Sequence, residues 1–296
     1  RRSQMIEICE VGPRDGLQTE KTLLSTTDKI TLIQKLIDSG IKKFEVTSFV
    51  NPKIVPQMSD AEQLIERLPI VEDVIYTGLL LSRSGLERAL ATKLTHYNVV
   101  LAVSNTFNLK NAKRSVRQSL FELTAIIQEA KANNKYVNVT LGTAFGCPYE
   151  GEIAIDYLLT IAARFIEAGV DEITFADTTG LANPLKVEKT IKAYERTFGT
   201  DIPLGLHFHN TRGLGIANAL AGLQQGITRF DSSIAGIGGC PFAPKAVGNI
   251  CTDDFVYMLQ SMGYETGISL EKLVNTSKWL EENLGRTLEG MYMKTI

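Results

Sequence analysis

YVNVTLGTAFGCPYEGEIAIDYLLTIAARFIEAGVDEITFAD, residues 136–177, is the stretch whose reading decides the fold. Residues 136–144, and again the residues from Glu172 onward, are rich in β-branched and apolar side chains and read as strands. Between them Ile155, Leu158, Leu159, Ala162, Ala163 and Ile166 recur at steps of three and four, which marks one buried face of a helix over 153–168. Gly169 follows where a helix ends in a left-handed residue. Two apolar strands joined by an amphipathic helix make a parallel βαβ unit.

The alternation continues in both directions. Strand patterns fall at 6–11, 43–49, 74–80, 96–103, 136–144, 172–179, 203–210 and 229–235. Helical patterns fall at 27–39, 59–67, 84–92, 116–132, 153–168, 184–197, 214–225 and 252–262. Eight successive strand–helix units point to a closed (β/α)8 TIM barrel. The alternative is an open doubly wound sheet, but no Gly-x-Gly-x-x-Gly turn follows the first strand. Residues 1–296 read as a single domain, with 269–296 as a C-terminal helical extension packed outside the barrel. In a barrel the reactive groups gather at the C-terminal ends of the strands.

Composition narrows the function classes. A 296-residue chain with 44% hydrophobic residues buries a large core, and 31 basic against 33 acidic residues give no field for nucleic acid or an anionic membrane. Cys9, Cys147, Cys240 and Cys251 lack paired zinc-type spacing and fit a reducing compartment. No apolar run reaches the length of a membrane span, and RRSQMIEICEV enters a strand without a signal-peptide core, so the cytoplasm is the expected location.

Taken in order, the strand ends collect chemistry. EVGPRDGLQ, Glu10 to Gln18, sets Arg14 and Asp15 in a glycine-bracketed turn. Glu45 interrupts an apolar strand and needs a partner, for which Arg14 is the natural choice. After strand four, Lys110, Asn111, Lys113 and Arg114 form a polar, basic rim. Asp177 and Thr178 stand at the end of strand six. In LGLHFHN, Leu204 to Asn210, His207 and His209 lie two apart and so share one face of a strand. They suit either a buried hydrogen-bonded pair or two ligands of one metal. SIAGIGGCPFAPKAVGN, a long Gly/Pro-rich loop carrying Cys240, reads as a lid and ends at Asn249. Asp15, His207, His209 and Asn249 offer one carboxylate, two imidazoles and an amide oxygen, a mixed donor set suited to Mg²⁺ or Mn²⁺, with Zn²⁺, Co²⁺ or Fe²⁺ as alternatives. Donor types alone leave an iron oxygenase open.

Several long motifs in one order then identify a family. EVGPRDGLQ with the following Glu20-Lys21, TSFV through VPQM (Thr47 to Met58), GCPYEG (Gly146 to Gly151), the His207-x-His209 pair and GIGGCPFAP through GN resemble 3-hydroxy-3-methylglutaryl-CoA lyases, in a wider group of metal-dependent barrel lyases and Claisen-type synthases. The resemblance runs over nearly the whole chain. It implies Asp15, His207, His209 and Asn249 as metal ligands, and Arg14 as the group that polarises a thioester carbonyl. Asp15 or His207 becomes the proton acceptor, and Cys240 the proton donor to the enolate carbon. Glu45 would hold Arg14, and Asp177 would support the histidines or the substrate. Gln18, Lys21, Thr178 and Asn111 are the expected substrate contacts. An acyl-CoA substrate and a homodimer are likewise implied. The chain departs from the family pattern at Asn210, Arg212, Lys245, Asn105 and Asp253. Arg212 and Lys245 are expected to reshape recognition of the acyl carboxylate, which keeps citramalyl-CoA or another 3-hydroxy acyl-CoA as an alternative substrate. A condensing synthase or aldolase is a more distant alternative, and a non-catalytic scaffold more distant still.

Overall fold

The structure, a computed structural model, describes residues 5–239 and 247–296. The strands β1 (Glu7–Glu10), β2 (Lys43–Ser48), β3 (Ile75–Leu80), β4 (His96–Ala102), β5 (Tyr136–Gly142), β6 (Glu172–Asp177), β7 (Leu204–Phe208) and β8 (Arg229–Ser232) form a closed barrel in sequence order. Every pairing is parallel, and closure is made by β1 on β8, with Glu7 opposite Arg229 and Glu10 opposite Ser232. The outer layer comprises α1 (Thr26–Asp38), α2 (Ala61–Arg67), α3 (Arg83–Leu90), α4 (Asn105–Ala112), α5 (Val116–Ala132), α6 (Ile155–Ala168), α7 (Pro184–Phe198), α8 (Gly215–Gln224) and α9 (Thr252–Ser261). After α9 come α10 (Leu270–Leu284), packed on α1 and α9, and a short helical turn at Tyr292–Thr295. Among the described residues no helix is long and apolar enough to cross a membrane.

Local chemistry sets the helix limits. Ser25, Ser115, Asn183 and Ser269 each accept a backbone N–H of the first turn of α1, α5, α7 and α10. Ser115 and Gln118 complete a reciprocal capping box. Gly169 ends α6 in the left-handed region, as its place in the sequence predicts. Most element ends shift by one to three residues from the sequence reading, and two differences have a physical cause. The polar rim after strand four is a helix of its own, α4, whose apolar signal is too weak to be read from periodicity. Strand β8 stops at Ser232, because Ala235 turns at φ 56° within Ile234–Gly236 and breaks the extended run.

Two layers of side chains follow from the strand period of two. On β4 and β5, Tyr97, Val99, Leu101, Val137, Val139 and Leu141 are fully buried toward the helices. The alternate residues Asn98, Thr140 and Asn138 line cavities inside the barrel. The apolar core is therefore the shell between sheet and helices, whereas the axis is largely polar. At the N-terminal end the first residues of four strands, Glu7, Lys43, Glu172 and Arg229, close the barrel with alternating charges. Lys43 bridges Glu7 at 3.2 Å and Glu172 at 3.0 Å, and Arg229 pairs with Glu7 at 3.2 Å and with Glu172. Four ions lined up at the base of the axis seal it and leave the opposite mouth as the accessible end.

Candidate active site and metal centre

The mouth is assembled from loops that are anchored beneath it. Gly12–Gly16 forms one wide helical turn after β1, presenting Arg14 and Asp15. Gly16 has no room for a side chain, since a Cβ there would lie 2.6 Å from Ile237 Cγ1. From Val247 onward the described chain runs along the end of β7. Asn210 N–H donates to Gly248 O at 2.9 Å and Ile250 N–H to Phe208 O at 3.0 Å, so Asn249 is delivered directly beside His209.

Asp15, His207 and His209 offer ligand atoms that all lie within 4.8 Å of one another. Asp15 Oδ2 is 3.4 Å from His207 Nε2 and 3.7 Å from His209 Nε2, and the two Nε2 atoms are 3.1 Å apart. The other ring nitrogens are committed. His207 Nδ1 faces Asp231 Oδ2 at 2.9 Å, and His209 Nδ1 faces the carbonyl of Val247 at 3.2 Å. Acceptors at both Nδ1 positions hold a ring proton there and turn both Nε2 atoms toward Asp15, where a bound cation would take the place of any proton on Nε2. Asn249 Nδ2 donates to Asp15 Oδ2 at 3.0 Å and to Ile237 O at 3.3 Å, which fixes its amide orientation. Its Oδ1 is buried without a hydrogen-bond partner among the described residues. A buried acceptor left unpaired is costly, and a cation shared with Asp15, His207 and His209 would satisfy it. The residues present fit a divalent metal.

The electrostatics are those of an anionic pocket faced by a fixed cation. Burial works against the charge on Asp15, yet Arg14 and the two histidines hold its carboxyl well below the ordinary range. Burial also disfavours a charged His207, but hydrogen bonds to and charges on Asp15 and Asp231 outweigh it and push the imidazole up to about 10. His209 goes the other way, to about 4, through burial and then the neighbouring His207 charge. Arg14 donates through Nε to Glu45 Oε1, and through Nη1 to Asp15 Oδ1 at 3.1 Å and Gln18 Oε1 at 3.2 Å.

These groups open into a cleft of about 130 Å³. Asn98 and Thr140 form its floor, Leu79, Val100 and Phe107 supply apolar wall, and Gln18, Asn111 and Thr178 also line it. Lys21 is exposed and lies outside this lining. Cys240 and Lys245 fall outside the described residues.

Two expectations change. Asp177 does not reach the histidines: it is fully buried on the outward face of β6, where its oxygens each accept a backbone N–H, from Leu181 and Ala182, at 2.9 Å. It fastens the loop after β6. Arg212 does not face the acyl site either; its Nη1 donates to the carbonyls of Thr179 at 2.9 Å and Gly180 at 3.2 Å, tying the β7 loop to the β6 loop. The other departures are also structural. Asn210 caps the start of α8 through Gly215 N–H at 3.0 Å, Asn105 accepts Val116 N–H at 3.0 Å, and Asp253 braces Ala235 N–H and Ser277 Oγ. Conversely, Asp231 escapes the sequence reading. Its signal was the step of two from Arg229 on β8, which puts Asp231 inside the barrel beside His207.

With this geometry in hand, the likeness to known proteins is specific. Residues 5–280 match the HMGL-like family model. The chain is 41% identical to hydroxymethylglutaryl-CoA lyase of Bacillus subtilis over 96% of its own length and 94% of that protein's. It is 39% identical to (R)-citramalyl-CoA lyase of Chloroflexus aurantiacus over 98% and 95%. Among solved structures, an HMG-CoA lyase of Acinetobacter baumannii in complex with coenzyme A and 3-methylmalate superposes with a TM-score of 0.94 at 39% identity, over 98% of this chain and 94% of that one. Likeness on this scale spans the barrel and every loop that builds its mouth: the chain belongs to the HMGL-like family and is a carbon–carbon lyase.

Proposed function

We propose that the chain cleaves 3-hydroxy-3-methylglutaryl-CoA to acetyl-CoA and acetoacetate. The observation that carries this is the approach of Arg14 to the Asp15 carboxylate of a prepared metal site, at one wall of a closed-end cleft. A divalent cation, Mg²⁺ or Mn²⁺ by donor chemistry, would be held by Asp15, His207, His209 and Asn249 and would acidify the substrate's tertiary hydroxyl.

The chain's own groups do the rest. Asp15 takes the C3 hydroxyl proton; the sequence also offers His207, but its Nδ1 is held by Asp231 and its Nε2 faces the cation site, which leaves that ring to orient rather than to accept. As the C3–O bond becomes a carbonyl, the C2–C3 electron pair passes to C2 and delocalises onto the thioester oxygen. Arg14, fixed by Glu45 and Gln18, meets the negative charge that develops there. The apolar wall of Leu79, Val100 and Phe107 suits the 3-methyl group. Gln18, Asn111 and Thr178, which line the cleft, would contact the acyl-CoA, and the exposed Lys21 would reach it from outside that lining. Protonation at C2 completes acetyl-CoA, a role that the family resemblance gives to Cys240. We also propose a homodimer and a cytoplasmic setting, to be tested by sedimentation and by fractionation of the native host.

Purified protein with Mg²⁺ or Mn²⁺ is expected to release acetyl-CoA from 3-hydroxy-3-methylglutaryl-CoA and to lose this activity in a chelator. Absence of turnover with every 3-hydroxy-3-methyl acyl-CoA would overturn the reading. A second reading, cleavage of citramalyl-CoA to acetyl-CoA and pyruvate, is favoured by the Chloroflexus relative, whose identity is nearly that of the Bacillus one. Comparing kcat/KM for the two thioesters decides between them.

A further inference from the structure

Barrel axes are ordinarily packed with branched apolar residues, yet here the space beneath the cleft holds a continuous chain of polar side chains. Glu45 accepts from Arg14 through Oε1, and its Oε2 accepts from Asn98 Nδ2 at 2.7 Å. Asn98 Oδ1 accepts from Asn138 Nδ2 at 2.7 Å and from Thr140 Oγ1 at 3.0 Å. Asn138 Oδ1 accepts in turn from Thr174 Oγ1 at 3.1 Å. Backbone register makes this possible, since Asn98 on β4 stands opposite Asn138 on β5, and Thr140 opposite Thr174 on β6.

The chain has a direction. A carboxylate only accepts, so Asn98 must present its NH₂ to Glu45 and its carbonyl oxygen to the next strand. The same constraint then orients Asn138, and Thr174 supplies the last donor. Each member has one arrangement that satisfies all its partners, and the donors converge on Glu45 from both ends. A partly satisfied buried network costs more than an apolar core, so a fully connected one fixes a single geometry.

We propose that Asn98, Asn138 and Thr174 are positioning residues that act through Glu45 to hold the Arg14 guanidinium where the thioester oxygen gains charge. The chemical consequence rests on the reading of Arg14 given above; the hold on Arg14 itself does not. Asn98 also lines the cleft and would touch substrate, so Asn138 and Thr174, which do not line it, are the informative sites.

The test compares the Mg²⁺-loaded wild type with Asn138→Leu and with the near-isosteric Thr174→Val, the second guarding against a folding defect in the first. A misplaced catalytic group lowers kcat far more than KM: we expect a loss of about 10-fold in kcat for Asn138→Leu and about 3-fold for Thr174→Val. In a Glu45→Gln background neither substitution should cause further loss, since the route to Arg14 is already cut. Independently of turnover, the Arg14 Nε–H resonance, assigned by its disappearance in Arg14→Lys, should shift upfield in both variants as its bond to Glu45 loosens. Equal fold-losses with and without Glu45, or an unmoved resonance with unchanged kcat, would overturn the proposal. If the wild type shows no turnover while the resonance moves as expected, the network stands and the assigned reaction falls.

Discussion

At the scale of single residues, each imidazole owes its orientation to a neighbour. His207 Nδ1 is claimed by Asp231 and His209 Nδ1 by the carbonyl of Val247, so both rings present Nε2 to the same point. Of these partners only Asp231 is a charged side chain, and it raises the basicity of the ring it holds. Asp231→Asn keeps an acceptor for the ring proton but removes that charge. Isothermal titration of the metal-free protein with Mn²⁺ should therefore show affinity lower by roughly 10- to 100-fold with the fold intact; undiminished affinity would remove Asp231 from the site. The sequence displayed His207 and His209 because a His-x-His step is visible on any one strand. Asp231 was hidden because its value comes from the neighbouring strand, opposite His207 in the β7–β8 register. Asn98 and Asn138 were hidden for the same reason, each looking alone like a polar interruption in an apolar strand.

Between elements, the loops after β1 and β8 are pinned to each other by one buried carboxyl. Glu10 Oε2 accepts Gly12 N–H at 2.8 Å and Ile234 N–H at 2.9 Å, and Oε1 accepts Thr252 Oγ1 at 2.8 Å. Burial, only partly opposed by these bonds, raises its pKa from 4.5 to about 7. A folded-state pKa above the unfolded one favours the protonated form in the native protein. Its contribution is complete below pH 4.5 and is lost as pH rises through about 7. Glu10→Gln retains the accepting oxygen, while its NH₂ can donate to Thr252 Oγ1, whose hydroxyl has Ser232 Oγ at 2.7 Å. The variant should gain on the wild type between pH 5 and pH 8, by up to about 3 kcal/mol in urea unfolding; parallel stability profiles would show that Glu10 does not titrate in this window. Element order was legible because helix and strand periods alternate so regularly. The turning points were less so: the stop of β8 at Ser232 depends on Ala235 adopting φ 56°, a conformation that an alanine does not advertise. Asp177 looked catalytic and Arg212 looked turned toward the substrate for a related reason, since a charge at a strand end reads alike whether it meets a ligand or a backbone loop.

Across the whole molecule, the donor set joins distant parts of the chain at the open end of the barrel. Asp15 follows the first strand, the histidines come from the seventh, and Asn249 lies beyond the eighth, so the site exists only when β1 has closed on β8. The opposite end carries its own closure in the lattice of Glu7, Lys43, Glu172 and Arg229, which needs no ligand. A cation that binds the folded chain and has no prepared site in the unfolded one must stabilise the native state by mass action, by about 2.7 kcal/mol at a free concentration 100 times its Kd. For a chain of this size that is a rise of several degrees in the unfolding midpoint. We expect Mn²⁺ or Mg²⁺ to raise the midpoint of the purified protein and a chelator to reverse the shift. Asn249→Leu, which removes the unpaired Oδ1, should abolish most of the metal-dependent rise. A midpoint indifferent to both metals in the wild type, or a full rise in Asn249→Leu, would detach Asn249 from the metal and leave its buried oxygen to be explained by another partner.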